Sequence, residues 1–409
     1  GVNNMNLIIG QGAAGVHAAT ELRRLDPAVR VTILTAEPDP FYSRIDLPDI
    51  VAGSLAADDA ELKSPADFEA AGIICRYGTT VTRIDPANQV VELADGDILS
   101  FRRLLIATGS SPAKPPIPGV DLAGVHTLWT LAQARCLAEA APRSQQAIVV
   151  GAGLIGLKTA LALAKRGLTV RVVECLDRVL AKQLDAEAAG IVTEALREHG
   201  VEVLTGVCVQ QFKAGEKGRL AGAILSDREI ACDLAVIASG VRPNADLAKA
   251  AGLEVRRGIV VDSCLRTTAP NIWAAGDVAE VTDPLSGEPV VPAAWPVAVS
   301  QGVIAARNML GAGLAWESSV AMNSVEVAGI PLVSVGSPEA ADGDQVLKTR
   351  SGNNYRRIVL RDHKVRGLVC LGDIRSAGVL TGLISRGVCC NDPERLLTPR
   401  FCASDLLNF

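Results

Sequence analysis

Along most of the chain, short unbroken apolar runs alternate with stretches whose apolar positions recur every three or four residues. One cycle reads as strand (6–9), helix (13–25) and strand (31–34), and another as strand (147–150), helix to 166 and strand (170–173). Strands that are apolar throughout suit a parallel sheet covered on both faces, and parallel neighbours need a crossover such as a helix. Residues 104–106 form a further strand of this kind. The stretch 58–71 reads as helix, restarted at the Ser64-Pro65 cap, and alternating segments at 73–77, 81–84, 90–93 and 98–101 predict a small antiparallel element. A helix at 185–199, strands at 201–203, 207–212, 221–226 and 234–238, strands at 258–261 and 271–278, and a helix at 295–310 follow. Beyond 319 the rhythm changes to strands at 325–327, 332–335, 345–349, 355–360 and 368–371 and a helix at 377–386, an α+β arrangement. The pattern predicts an α/β chain of two Rossmann-like domains plus a C-terminal α+β domain. The prolines at 112, 115, 116 and 118 mark the first boundary. The domains then run 1–113 with 241–318, 114–240, and 319–409.

The chemistry sits where these strands end. The first run opens into Gly10-Gln11-Gly12-Ala13-Ala14-Gly15, the dinucleotide fingerprint. Its glycines make the tight turn, admit a pyrophosphate and let the helix pack on the strand. The helix then aims its unpaired N–H groups at the phosphates. Glu37, after the next strand, is placed for a ribose diol. The second run repeats the arrangement as Gly151-Ala152-Gly153-Leu154-Ile155-Gly156 with Glu174 at the following strand end. Glu174 would repel a 2′-phosphate and favours NAD over NADP, while the nearby Arg178 keeps NADP open. Gly240 closes this domain. Arg44, in a proline-rich loop, is either a contact for a flavin diphosphate or pyrimidine edge, or a solvated arginine. Small residues at Ala107-Thr108-Gly109 leave room for a nucleotide. Asp277, after Gly276, suits a sugar-alcohol hydroxyl, a helix N-cap, or both. The helix beginning at Trp295 starts near the same ligand.

Composition narrows the class. The 409 residues are 49% hydrophobic with a net charge of −5, which describes a soluble globular protein and argues against disorder and against nucleic-acid binding. No run approaches the roughly 18 apolar residues of a membrane span, and the start shows no basic leader, so a cytoplasmic location is expected. None of the ten cysteines forms a C-x-x-C pair, so free thiols are expected. Residues 344–400 carry 11 Lys+Arg against 5 Asp+Glu, which is either a solvated face or a docking surface for an acidic electron-transfer protein.

Two fingerprints, the Ala-Thr-Gly strand end and the late Ala-Gly-Asp together resemble the pyridine nucleotide–disulfide oxidoreductase family. The stretch 38–53, the Ala181-Lys182-Gln183-Leu184-Asp185 segment and the third domain are most similar to its NADH:rubredoxin reductase and nitrite reductase flavin-region branch. The resemblance implies FAD on Gly10, Gly12, Ala13, Ala14, Gly15, Glu37, Arg44, Val81, Thr108, Gly109, Gly276, Asp277 and Trp295. It implies NAD(H) on Gly151, Gly153, Leu154, Ile155, Gly156, Glu174 and Gly240. It further implies hydride transfer to flavin and onward delivery to rubredoxin or a partner redox subunit, with a homodimer possible. An oxygen-reducing NADH oxidase and a non-catalytic, nucleotide-responsive flavoprotein are the alternatives. Two departures stand out. Ile45 occupies the place of the family's single redox cysteine, which makes dithiol chemistry at the flavin improbable. Lys158 stands where the family has a glutamate, which suggests a charge-swapped pair with Asp49 or Asp46, or a solvent-facing lysine. The vicinal Cys389-Cys390 pair resembles the C-terminal thiols of mercuric reductase but has no internal electron route.

Overall fold

The computed structural model describes residues 5–283, 287–317, 322–337, 339–398 and 401–402. It divides into two units, Gly1–Arg44 with Asp58–Ser111 and Val241–Ser318, and Ile45–Ala57 with Pro112–Gly240 and Ser319–Phe409.

The first unit is built on five parallel strands in the order Ile272–Ala274, Arg103–Ile106, Met5–Ile9, Arg30–Leu34 and Ile73–Arg76. Leu7, Ile8, Ile33, Leu104, Leu105 and Ile106 are wholly buried, as strands without a polar face require. Helices Ala13–Leu25 and Trp295–Met309 approach closely, and a Cβ on Gly302 would lie 2.2 Å from the Ala14 carbonyl oxygen. Glu21 ties the same helices together, accepting from Arg24 and from Arg307 Nε at 2.7 Å each. The antiparallel element forms at Val81–Asp85, Val90–Leu93 and Ile98–Ser100. The helix expected over 58–71 is shorter. Glu61–Lys63 pairs with Phe41–Tyr42 as a strand, and Ser64 begins a fresh helix, Pro65–Ala70, through a reciprocal capping box with Asp67.

In the second unit, parallel strands run in the order Val125–Thr127, Leu234–Ile237, Gln146–Val150, Thr169–Glu174 and Val201–Thr205. The C-terminal part is an antiparallel sheet in the order Met322–Val327, Ile330–Gly336, Lys364–Leu371, Asn354–Arg361 and Gln345–Ser351. Helix Ala377–Arg386 buries Leu380, Leu383 and Ile384 in the same core as Ile358, Leu368 and Cys370 of that sheet.

This division differs from the expected domains in two ways. Ile45–Ala57 groups with the second unit, where Arg166 Nε donates to the Val51 carbonyl at 2.8 Å and its guanidinium covers Gly53. Residues 114–240 and 319–409 fall in one unit, joined by Tyr355 Oη to Asp185 (2.7 Å) and Ser334 Oγ to the Gln183 carbonyl (2.8 Å). The boundary expected at 318/319 lies outside the described residues.

The cysteine expectation is corrected at one pair. Cys175 and Cys208 form a disulfide, with Cα atoms 4.7 Å apart. They are 33 residues apart in sequence, so no spacing rule brings them together. Hydrogen bonds from Val207 N to the Glu174 carbonyl (3.0 Å) and from Gly206 N to the Leu176 carbonyl (2.8 Å) bring the two loops side by side. Cys389 and Cys390 are free thiols, the first exposed and the second buried.

Glu187 and Asp185 offset only part of the basic excess at 344–400, since the other acids that pair there are already counted in it. Lys348 and Arg350 face Glu187 at 2.8 and 3.6 Å, Arg361 holds Asp344 and Arg375 holds Asp373, both at 2.7 Å. Buried Arg356 donates to the Leu396 and Thr398 carbonyls. Arg400 lies outside the described residues. No helix among the described residues is long and apolar enough to cross a membrane.

Candidate functional site: two glycine-rich cradles

The first cradle forms because a strand turns into a helix with no room for side chains. Gly10 has φ +113°, and a Cβ there would sit 2.0 Å from the Ala107 carbonyl oxygen. A Cβ on Gly15 would lie 2.0 Å from the Gly10 oxygen, whereas one on Gly12 would meet nothing within 4 Å. Two glycines are thus demanded by packing and the middle one leaves open space. Gly12 is the N-cap of the helix and offers no side-chain acceptor, which leaves the first-turn N–H groups, beginning with Ala13 and Ala14, to an external anion.

Around this turn the structure brings together most of the expected polar residues of the unit. Glu37 accepts from Tyr42 Oη and from the Arg44 guanidinium, and that guanidinium lies 5.1 Å from the Tyr42 ring centroid. Arg44 is therefore neither free in solvent nor pointing away from the acid. Ser110 Oγ donates to Asp277 at 2.9 Å. Burial pushes the Asp277 carboxyl above its usual range, against the Ser110 hydrogen bond and the Arg44 charge, which lower it. Thr108 Oγ1 donates to the Asn244 carbonyl and Asn244 Nδ2 returns a bond to the Thr108 carbonyl, both at 2.9 Å. Gly109 and Gly276 have φ of +67° and +80°, conformations that favour glycine. Trp295, at the start of its helix, stacks on Phe41 with ring centroids 5.8 Å apart. Val81 opens the antiparallel element, half-buried and paired with Leu93.

The second cradle repeats the packing. Gly151 has φ +105°, with the Ala238 oxygen 2.4 Å from a built Cβ; the Gly156 position lies 2.0 Å from the Gly151 oxygen; Gly153 faces open space. Gly153 is the N-cap of helix Leu154–Lys165 and again supplies no side chain. Glu174 Oε2 accepts from Ala152 N at 2.8 Å, and its Oε1 accepts from Leu176 N at 2.9 Å. Gly240 has φ +104° and open space at its Cβ position. Arg178 is engaged elsewhere: it donates to the Leu184 carbonyl at 3.0 Å, to Asp177 at 3.0 Å and to Glu339. The charge-swapped pair does not form. Lys158 is half-buried, and among the described residues it makes no ion pair with Asp49 or Asp46. Asp49 instead receives Ser54 Oγ on its carbonyl at 3.2 Å and on its carboxylate at 3.5 Å.

Both cradles fit a dinucleotide diphosphate: two glycines fill space no other residue can, a third leaves the approach open, an uncapped helix start faces it, and an acid closes the strand end. Sequence reasoning missed Tyr42, Ser110, Asn244 and Gln301. The clearest available signal was Gln301, a long amide flanked by the small residues Ala298, Gly302, Ala305 and Ala306 of one helix.

Comparison with known proteins agrees with this geometry. Residues 6–302 match the family model described as pyridine nucleotide-disulphide oxidoreductase, and residues 322–388 match the rubredoxin NAD+ reductase C-terminal domain. The epsilon subunit of NADH-dependent phenylglyoxylate dehydrogenase from Aromatoleum evansii is 32% identical, covering 93% of this chain and 91% of that one. The probable ferredoxin reductase CtmF of Castellaniella defragrans is 37% identical over 83% of this chain and 86% of its own. Among solved structures, the ferredoxin reductase for the CYP199A2 system of Rhodopseudomonas palustris superimposes with a TM-score of 0.90 at 26% identity, covering 99% of this chain and 100% of that one.

Proposed function

The chain belongs to the pyridine nucleotide-disulphide oxidoreductase family, and from that premise we propose that it takes a hydride from NADH onto FAD and passes electrons to a protein acceptor. The acceptor is an acidic iron protein such as rubredoxin, or a partner redox subunit. FAD, when bound, supplies the hydride acceptor and divides the electron pair. The chain's own residues bind and orient. The open face at Gly12 and the Ala13-Ala14 N–H groups receive the FAD diphosphate, with Glu37 and Arg44 at the adenosine end and Asp277 on the ribityl chain. Gly153 and the Leu154-Ile155 N–H groups receive the NADH diphosphate, and Glu174 takes the ribose diol.

The observation that carries the NADH assignment is the fixed carboxylate of Glu174, held by two backbone N–H groups with Arg178 turned to other acceptors. A second phosphate on the ribose would meet a negative charge with no free guanidinium beside it. Hydride transfer needs placement more than a protein acid or base. Ile45 stands in the loop where a redox cysteine would be, so electrons leave without a thiol relay in that loop. We assign the reaction to the cytoplasm, where NADH is supplied, and leave a homodimer to sedimentation.

Rapid mixing of the yellow protein with NADH tests the reading. Flavin absorbance bleaches within milliseconds to seconds, and rubredoxin or ferredoxin reduction follows. Oxygen uptake that fully matches NADH oxidation, with no stimulation by either protein, would instead make the chain an NADH oxidase. A flavin that stays oxidised in excess NADH would overturn the proposal.

A further inference from the structure

Among the described residues, two amides at the first cradle have a buried nitrogen without a partner, Gln11 and Gln301, and only in Gln301 does a bond to the amide oxygen fix the orientation. Gln301 is completely buried in helix Trp295–Met309. Its Oε1 accepts the backbone N–H of Gly276 at 2.8 Å, which fixes the orientation of the amide, since an N–H requires the oxygen there. Its Nε2 then finds no acceptor among the described residues. An amide buried without a partner is costly, and native chains keep such groups where something completes them.

Its surroundings say what that is. Gly276 immediately precedes Asp277, and a Cβ on Gly276 would lie 3.1 Å from Ala14 Cβ. The next residue, Gly302, would place a Cβ 2.2 Å from the Ala14 oxygen. Gln301 thus stands where the first turn of the fingerprint helix, the Gly276-Asp277 turn and its own helix Trp295–Met309 converge, all within one unit.

We propose that Gln301 is a positioning residue for FAD. Its carbonyl end holds the turn that aims Asp277, and its amide nitrogen completes its hydrogen bonding on an acceptor oxygen of the bound dinucleotide. This rests on the FAD reading above and assigns a donor that the glycine fingerprint does not contain.

Apoprotein from the full chain is titrated with FAD, following flavin fluorescence, for wild type, Gln301→Glu at pH 8.5 and Gln301→Met. Glutamate keeps the acceptor for Gly276 and removes the donor; methionine removes both. Loss of that donor raises the FAD dissociation constant at least about 10-fold in Gln301→Glu, and a carboxylate buried there without a partner lowers apoprotein melting. Gln301→Met, which carries no charge, also binds FAD at least about 10-fold more weakly because it no longer holds the Gly276 N–H. Either variant, once folded, overturns the proposal if it binds FAD within about threefold of wild type. A crystal structure of the wild-type holoprotein gives a variant-free measure. An FAD oxygen within about 3.2 Å of Nε2 supports the assignment, and a water alone in that place overturns it. Wild-type protein that refuses FAD altogether is a different result, because it removes the reading on which this one stands.

Discussion

The two cradles share their glycine packing almost atom for atom, yet their acids are held by different means. Glu37 is held by side chains, Tyr42 Oη and the Arg44 guanidinium. Glu174 is held by the backbone, with Ala152 N at 2.8 Å and Leu176 N at 2.9 Å. The helices behind them differ as well. Ala13–Leu25 is braced along its length by Trp295–Met309, through the Ala14–Gly302 contact at one end and Glu21–Arg307 at the other. Leu154–Lys165 meets the short helix Leu47–Ala52 and ends on Arg166, whose Nε holds the Val51 carbonyl. The difference suits a resident cofactor in a braced pocket that still needs its ligand, and an exchangeable nucleotide beside an acid already set by the main chain. Cys175, joined to Cys208 directly after Glu174, adds a covalent tie that has no counterpart among the described residues of the first cradle.

The largest expected effect separates packing glycines from approach glycines. Gly15→Val or Gly156→Val drives a side chain into a backbone oxygen 2.0 Å from the Cβ position, and costs about 3 kcal/mol or more. Gly12→Ala and Gly153→Ala enter open space, so each keeps its fold and loses only its own nucleotide. Thermal melting paired with FAD content and NADH binding checks this. Equal destabilisation at all four positions would break the parallel between the cradles.

Next in size is Glu174→Ala. Removing an acceptor for the ribose diol raises the KM for NADH by about tenfold and narrows the preference over NADPH by a similar factor, with FAD content unchanged. Steady-state kinetics with both coenzymes measures it. If FAD is lost as well, the two acids do not serve separate nucleotides.

Most of this was legible in the chain. Unbroken apolar runs followed by glycines at fixed spacing specify strand, turn and helix locally, so both cradles and the C-terminal sheet could be placed from residues a few positions apart. What escaped depends on contacts distant in sequence. Tyr42 and Arg44 curl back on Glu37 because Phe41–Tyr42 pairs with Glu61–Lys63, a strand hidden in what reads as helix. Lys348 and Arg350 read as surface charge but meet Glu187, which lies over 150 residues earlier in the chain. The Cys175–Cys208 bridge and the Gln301–Gly276 bond belong to the same class.

A smaller effect tests the brace behind the first cradle. The Arg24 hydrogen bond, with help from Arg307, holds the Glu21 carboxyl down at about 2 against an ordinary value of 4.5. A carboxylate with a depressed folded-state pKa stabilises the fold fully above its unfolded value, and that contribution is lost as pH falls from about 4.5 towards about 2. Glu21→Gln therefore lowers stability by about 1–2 kcal/mol at pH 7, discounted because both arginines are partly exposed, and flattens acid unfolding over that window. Denaturant titrations at pH 7 and pH 3 measure it. An unchanged acid profile would mean that the helix contact, not the ion pair, supplies the brace.

The smallest expected effect is at Lys158, on the helix of the second cradle. A buried ion pair broken by removing one partner costs several kcal/mol, whereas a half-buried lysine without a carboxylate costs little, since its stem packs and its ammonium remains hydrated. Lys158→Ala is expected to leave melting within about 2 °C of wild type and the rate of flavin reduction by NADH within about threefold. Melting of the oxidised protein and single-turnover reduction separate two ways of being wrong. A large fall in melting would reveal a static partner for Lys158. A normal melt with strongly slowed reduction would show that the lysine finds its partner only when NADH is in place, making the second cradle, like the first, dependent on its ligand for completion.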